Sequence, residues 1–235
     1  MPWYDRRVRL AMAYAIDCDA IIKSLLNGIP NRWAYLAPYE LGYDPGLKPY
    51  PYDPQKAKQL LSEAGYPNGF EFTLYYRLGY RVPMLRELAE AIAAYFEAVG
   101  IRTKIVGEEQ AANRARERAA RQKPGEAVFV SWGTGGRAGS VDPCESLFMY
   151  FTKDGGFSFY FNPEAEKVIQ EAKTTMNDAK RGELIKKAVR IVHEDVATIP
   201  IFNNVTMYGM KKNIDFRPTE NFQFDVIFVK DITVR

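Results

Sequence analysis

The amino-acid sequence predicts an α/β fold in which helices flank a mixed, largely parallel sheet. The main observation is the order of elements along residues 70–130, where strand-like and helical patterns alternate as strand, helix, strand, helix, strand. Helices between successive strands act as crossover connections, and these place the strands parallel in one sheet. A second observation is the change of character after residue 197, where strand-like segments follow one another without a long helix.

The first part of the chain predicts three helices, over residues 7–16, 17–28 and 53–65. The first has apolar residues on a single stripe. Asp17 and Asp53 occupy the N-cap positions of the second and third helices, and a glycine closes each of these two. Both ends of these elements can therefore be placed from the sequence.

The segment that joins the second and third helices is rich in proline. Residues 29–54 contain six prolines, and proline is excluded from helix interiors and from central strands. We therefore expect an ordered, extended segment on the surface.

The body of the predicted fold begins at residue 70. Residues 70–76 and 101–106 alternate as strands do, and the helix between them, over residues 82–99, has one apolar face. Residues 108–122, rich in Ala, Arg and Glu, predict a solvated helix. Residues 127–130 are continuously apolar, which is typical of a strand buried on both faces.

The C-terminal part predicts two more helices and then only strands. The helices cover residues 164–175 and 178–196, and the strand-like segments are 199–202, 205–210 and 224–229. Because no helix separates these segments, we expect the tail to leave the α/β body for a different sheet.

Composition and charge limit the possible functions. With 47% hydrophobic and 26% charged residues among 235, the chain is globular rather than disordered. The net charge of +3 comes from basic and acidic residues spread along the sequence, which predicts no nucleic-acid partner. No apolar run approaches the roughly 18 residues of a membrane span. The N-terminus lacks the layout of a signal peptide, so the protein is either cytosolic or begins downstream of its natural start.

The best candidate for a binding site is the stretch from Trp132 to Asp142. It follows the predicted buried strand, at the carboxyl end where open α/β sheets place their ligands. Trp132 could pack against a ligand or belong to the core, and Arg137, in a glycine-rich loop, could pair with an acidic ligand group. Asp142 could bind an ammonium group, cap the helix that opens at Pro143, or do both.

The sequence predicts no catalytic or metal site. His193 is the single histidine, and we expect a surface or half-buried helix position for it, since it has no partner for catalysis or metal binding. No Ser/His/Asp, Cys/His or HExxH arrangement can be assembled. Cys18 and Cys144 show no CxxC pattern and are expected to be isolated buried thiols. We therefore expect no enzyme activity, no metal and no cofactor.

The motifs of this chain, taken in order, resemble the family 5 extracellular solute-binding proteins, the dipeptide, oligopeptide and nickel-binding group. The resemblance covers nearly the whole chain. It rests on DRRVRLAMAYAID at 5–17, YDPQKAKQLLSEAGYPNGF at 52–70, Val99-Gly-Ile101, Trp132 with Asp142-Pro143, YFNP at 160–163 and ATIPI at 197–201.

This resemblance implies a periplasmic-binding-protein-like lobe of a two-lobed receptor. Residues 1–206 would be the second lobe, and residues 207–235 would return toward a first lobe that is missing from this chain. The implied function is to bind peptide-like ligands between the lobes, outside the cytoplasmic membrane, and to deliver them to the permease of an ABC importer. Asp142 matches the family aspartate that holds the α-amino group of a peptide.

Other functions stay open at this point. The resemblance also implies a pocket to which Phe161 could contribute, although Phe157, Phe159 and Phe161 favour core positions. Relatives of this kind also take nickel chelates, haem, sugars and opines, so a non-peptide ligand is an alternative. A ligand-sensing lobe of a regulator is another, and peptide hydrolysis is a third that the absent catalytic set argues against.

Overall fold

A computed structural model describes residues 1–79, 82, 84–122, 142–203, 205, 208–216 and 232–234. A short 3-10 turn at Pro2–Tyr4 precedes the first helix. The helices are α1 (Arg6–Ala15), α2 (Cys18–Leu25), α3 (Pro54–Glu63), α4 (Leu85–Glu97), α5 (Gln110–Gln122), α6 (Cys144–Phe151), α7 (Pro163–Thr174) and α8 (Asp178–Glu194), and the strands are β1 (Glu71–Arg77), β2 (Arg102–Glu108), β3 (Ile214–Phe216) and β4 (Ile232–Val234).

The predicted parallel strand pair is confirmed. β1 and β2 pair in parallel, with Glu71 opposite Arg102 and Arg77 opposite Glu108. Helix α4 provides the crossover between them and packs against both strands. The third predicted strand, over residues 127–130, lies outside the described residues.

The predicted helix ends in the first part of the chain are confirmed. The Asp17 side chain accepts a hydrogen bond from the Ala20 amide at 2.9 Å, and Asp53 accepts one from the Lys56 amide at 2.8 Å. Each bond satisfies a backbone amide that has no partner within its helix. Gly28 and Gly65 follow α2 and α3 with positive φ angles of 70° and 89°.

The main core lies around the parallel strands. We call it the sheet core; its buried members fall between Val8 and Ile101 and come from α1 to α4, β1 and the residues that flank these elements, while Ile105 of β2 packs against them partly buried. Trp3 contributes from the edge, with its ring 5.5 Å from that of Phe72 in an edge-on arrangement. The apolar stripes that predict helices 7–16 and 53–65 are buried here, where α1 packs on α3.

A second core, which we call the helical core, joins α6, α7 and α8 to the proline-rich segment. The prediction that residues 29–54 lack helix and strand is confirmed up to Asp53, since Pro54 begins α3, but their placement on the surface was wrong in part. Tyr35 and Leu36 are each 4% exposed and pack among the helices. Proline prevents regular structure without preventing burial, since single side chains of an extended segment can still enter a core.

The chain after α8 differs from the prediction. Residues 199–202 form no strand; the nearest pairing is an isolated bridge between Asn203 and Asn31. Among the described residues of 205–210, none is in a strand, and residues 224–229 lie outside the described part. β3 and β4 form an antiparallel pair that is separate from the parallel pair. This agrees with the expectation that the tail belongs to a different sheet.

The two cysteines are isolated, as predicted. Cys18 and Cys144 are free and buried, in the sheet core and the helical core respectively. Burial raises the pKa of each thiol to about 11, because the thiolate would lose its hydration. In the described part of the chain, no helix has the length and apolar character that a bilayer crossing requires.

Candidate ligand-binding site

The start of α6 holds Asp142, the carboxylate singled out from the sequence. Its Oδ1 atom accepts a hydrogen bond from the Cys144 amide at 2.9 Å, across Pro143. The N-cap role foreseen for Asp142 is not what forms, because α6 begins at Cys144 and Pro143 occupies the N-cap position without a side-chain capping bond. The aspartate lies one residue earlier and still binds the first amide of the helix. The side chain is 20% exposed and is therefore half-buried.

A second helix also contacts this carboxylate. The Nη2 atom of Arg181, in the first turns of α8, lies 2.9 Å from Asp142 Oδ2. This ion pair could not be predicted from sequence patterns, because the two residues are far apart in the chain. Helix α7 packs against both α6 and α8, and this three-helix arrangement brings the two residues together.

The phenylalanines near α7 are more exposed than expected. Phe157, Phe159 and Phe161 are 39%, 46% and 60% exposed, so the expectation that they belong to the core was wrong. Phe161 precedes Asn162, whose side chain caps α7 by accepting from the amides of Glu164 and Ala165. This capped, extended turn holds the Phe161 ring away from the helical core.

Two of the four predicted site residues cannot be placed. Trp132 and Arg137 lie outside the described residues, together with the glycine-rich loop. Their roles, and those of Asp142 and Phe161 in ligand binding, stay predictions.

The carboxyl end of β2 holds a charged cluster that the sequence reasoning missed. Glu108 is the last residue of this strand and is 8% exposed. Its Oε1 atom accepts from Arg116 Nε at 2.8 Å and Nη2 at 2.6 Å, and the Arg116 guanidinium lies 3.7 Å from the centre of the Tyr75 ring. The hydrogen bonds from Arg116 lower the pKa of Glu108.

The helix predicted over residues 108–122 begins at Gln110, two residues later than expected. It is solvated over most of the positions whose exposure is described, as predicted, although Asn113 is only 3% exposed. The sequence signal that could have revealed the charged cluster is the strand pattern of β2, which continues past Val106 to Glu108. It places Glu108 at the carboxyl end of the strand, where ligands bind in open α/β folds.

His193 is half-buried, as predicted. Its ring stacks on Tyr50 with centroids 4.2 Å apart and meets Tyr35 edge-on at 5.8 Å. Burial lowers the pKa of His193 to about 4, because the charged imidazolium would lose its hydration. The buried Nδ1 atom has no hydrogen-bond partner in the part of the chain that the structure describes. The described residues contain no group of three or more side chains that could bind a metal ion.

Comparison with a family model decides which proteins this chain is related to. The model of bacterial extracellular solute-binding proteins, family 5, middle part, matches residues 1–158, about two thirds of the chain. The chain belongs to this family. The resemblance seen in the sequence motifs is thereby confirmed.

Individual relatives extend the match to nearly the whole chain. Haem-binding protein A of Haemophilus influenzae is 32% identical over 232 residues, which are 97% of this chain and 42% of that protein. The dipeptide-binding protein of Escherichia coli K12 is 33% identical over 219 residues, covering 91% and 40% respectively. The chain thus spans about two fifths of the length of these relatives. Both are named as binding proteins.

Solved structures confirm the α/β fold predicted here. The periplasmic binding protein DppA of Helicobacter pylori, in complex with the peptide STSA, is 30% identical with a TM-score of 0.71, over 85% of this chain and 38% of that one. HbpA2 of Haemophilus parasuis is 25% identical with a TM-score of 0.81, over 100% and 46%. The chain has the fold of part of a periplasmic binding protein.

Proposed function

We propose that this chain is part of the solute-binding component of an ABC-type importer and binds peptide-like ligands. The observation that carries the proposal is family membership combined with a fixed, half-buried carboxylate at the start of α6. A carboxylate held in this way can accept charge-assisted hydrogen bonds from the ammonium group of a peptide. Trp132, Arg137 and Phe161 would line the same pocket, and the protein would act by binding alone, without catalysis.

The receptor would consist of two lobes, of which this chain forms mainly the second. Residues 1–206 would form the second lobe, and residues 207–235 would return toward the first lobe of the receptor. Ligand would be enclosed between the two lobes on the periplasmic or extracellular side, and the closed form would dock on the permease. The short β3–β4 pair, separate from the parallel strands, supports this division.

Native mass spectrometry of the full-length protein, purified from its host, tests the ligand class. We expect a bound mass that fragments as a short peptide. A Soret absorption band or a metal-chelate mass would overturn the peptide assignment, and a DNA-binding segment elsewhere in the full-length protein would favour a regulator instead of a receptor.

An Asp142→Asn variant of the full-length protein tests the residue role. Removal of a partly buried charge that pairs with an ammonium group should weaken binding of the dipeptide Met-Leu by about 30-fold, as measured by calorimetry. The matched control is Asp44→Asn, because Asp44 also pairs with an arginine of α8, Arg190. Equal losses in both variants would contradict a direct role for Asp142.

A further inference from the structure

The two candidate ligand residues that the structure describes, Asp142 and Phe161, lie at opposite ends of α8. The Asp142 carboxylate contacts Arg181 in the first turns of this helix, with Oδ2 2.9 Å from Nη2. Phe161 directly precedes Asn162, whose Nδ2 atom lies 3.4 Å from Oδ2 of Asp195, the C-cap residue of the same helix. Each candidate residue is therefore tied to a defined position along α8.

The two helices α7 and α8 give the distance between these positions. Arg181 and Asp195 are fourteen residues apart, which at the rise of an α-helix corresponds to about 21 Å. Fourteen residues are close to four helical turns, so both contacts lie on the same side of α8. Helix α7 joins Asn162 to Thr175, whose carbonyl lies 3.4 Å from Arg181 Nη1, and these thirteen residues span about 20 Å. The two measures agree.

Phe161 ends an extended segment and exposes its side chain. Phe161 is 60% exposed, whereas the ring of the preceding Tyr160 packs edge-on against Phe151 with centroids 6.0 Å apart. Opposite directions of successive side chains are typical of an extended chain. Asn162 fixes the end of this segment, since its side chain caps α7 and also contacts α8. The exposed ring is therefore held at a fixed distance from Asp142.

We infer that the ligand is an extended peptide of about six residues, with its amino terminus at Asp142 and an apolar side chain on Phe161. The inference rests on the proposed function, in which both residues line one pocket. An extended chain advances about 3.4 Å per residue, so about six residues are needed to span about 20 Å. A dipeptide covers only about 7 Å and reaches one of the two residues. The ring favours an apolar partner, because a polar group buried against it would lose its hydrogen bonds to water.

Calorimetry with the full-length protein and three peptides tests this inference. The probes are Met-Leu and two alanine hexapeptides that carry a single leucine, at position six in one and at position three in the other. We expect the position-six peptide to bind about tenfold more tightly than the position-three peptide, because only its leucine is buried against Phe161. The two hexapeptides have the same length and composition, so contacts to the peptide backbone cannot cause this difference.

A Phe161→Ala variant should abolish the preference between the hexapeptides and leave the affinity for Met-Leu unchanged. The matched control is Phe157→Ala, which removes another exposed ring of the same segment, one that stacks on Tyr150 with centroids 5.5 Å apart. This control should keep the preference, and melting temperatures verify that both variants fold.

Equal binding of the two hexapeptides to the wild type would overturn the inference and leave the proposed function intact. Equal losses of affinity for all three peptides in Phe161→Ala would have the same consequence, since the effect would then not depend on ligand length. If neither Met-Leu nor a hexapeptide binds to the wild-type protein, the peptide proposal fails, and the inference fails with it.

Discussion

The sheet core and the helical core of this chain are assembled in different ways. The buried residues of the sheet core come from one continuous part of the sequence, between Val8 and Ile101. The helical core joins residues 34–36 to α6, α7 and α8, more than a hundred residues later. A core of the first kind forms from contacts between neighbouring elements, whereas the second requires closure of a long loop of chain.

The two cores meet in a small set of buried residues. Val196, at the end of α8, packs against Ala13 of α1 and Tyr50 of the proline-rich segment. Arg9 of α1 also contacts Asp195, with Nη2 2.8 Å from Oδ1. The candidate ligand residue Asp142 lies next to α6 and α8, which belong to the helical core. The position of this residue therefore depends on contacts between parts of the chain that are far apart in sequence.

Substitution of Gly69, in the sheet core, should cause the largest loss of stability. Its φ angle is +69°, and a Cβ atom at this position would overlap the carbonyl group of Gly100. The two glycines lie just before β1 and β2, so neither backbone can shift without breaking the strand register. We expect Gly69→Ala to lower the free energy of unfolding by about 4 kcal/mol, from the left-handed conformation and the overlap together.

Chemical denaturation measures this loss, and Gly65→Ala is the control. Gly65 has a similar φ angle of +89° with nothing within 4 Å of an added Cβ atom. It should therefore show only the conformational cost, about 1 kcal/mol. If Gly69→Ala and Gly65→Ala lower the free energy of unfolding by the same amount, the close approach of Gly69 to Gly100 does not stabilise the sheet core.

Gly42 gives the corresponding test of the helical core, with a smaller expected effect. Its φ angle is +82°, and an added Cβ atom would lie 2.5 Å from Ile185 Cγ2 and 2.9 Å from the Gly182 carbonyl oxygen. The Ile185 side chain can adjust its rotamer, which relieves part of the overlap. We expect Gly42→Ala to lower the free energy of unfolding by about 3 kcal/mol.

Ligand affinity should also respond differently to a substitution in each of the two cores. Because Gly42 packs on α8, Gly42→Ala should weaken ligand binding at Asp142 more than Gly69→Ala does when both are measured below their melting temperatures. Gly28→Ala is the control, since Gly28 has a φ angle of +70° and open space around an added Cβ atom. A larger loss of binding in Gly69→Ala would contradict the assignment of the site to the helical core.

The difference between the cores also explains what the sequence predicts. Apolar periodicity and caps at Asp17 and Asp53 predict the helices and the β1–α4–β2 unit of the sheet core, because these signals are local. Nothing local shows that Tyr35 enters a core formed by α7 and α8. For the same reason Asp142 could be chosen from its position after a predicted strand, while its partner Arg181 could not. Glu108 was assigned to a helix because the predicted strand ends before Gly107, whereas β2 continues through this glycine to Glu108.

The smallest expected effect concerns His193, which lies between the two cores. Its pKa is lowered from 6.5 to about 4, since burial between Tyr35 and Tyr50 penalises the charged imidazolium. The neutral ring is favoured in the folded state, so its contribution to stability is complete above pH 6.5. As the pH falls from 6.5 to about 4, the unfolded chain binds a proton that the folded chain does not, and stability falls by about 2 kcal/mol.

His193→Phe tests this dependence. Phenylalanine keeps a ring on Tyr50, and it removes the buried Nδ1 atom that has no hydrogen-bond partner. The hydrogen bond from the Tyr50 hydroxyl to the backbone carbonyl of residue 193, at 2.6 Å, does not depend on the side chain. Denaturation at pH 7.5 and pH 5 should show a smaller loss of stability for the variant than for the wild type. Because the chain has a single histidine, equal losses would mean that carboxylates, and not His193, cause the pH dependence.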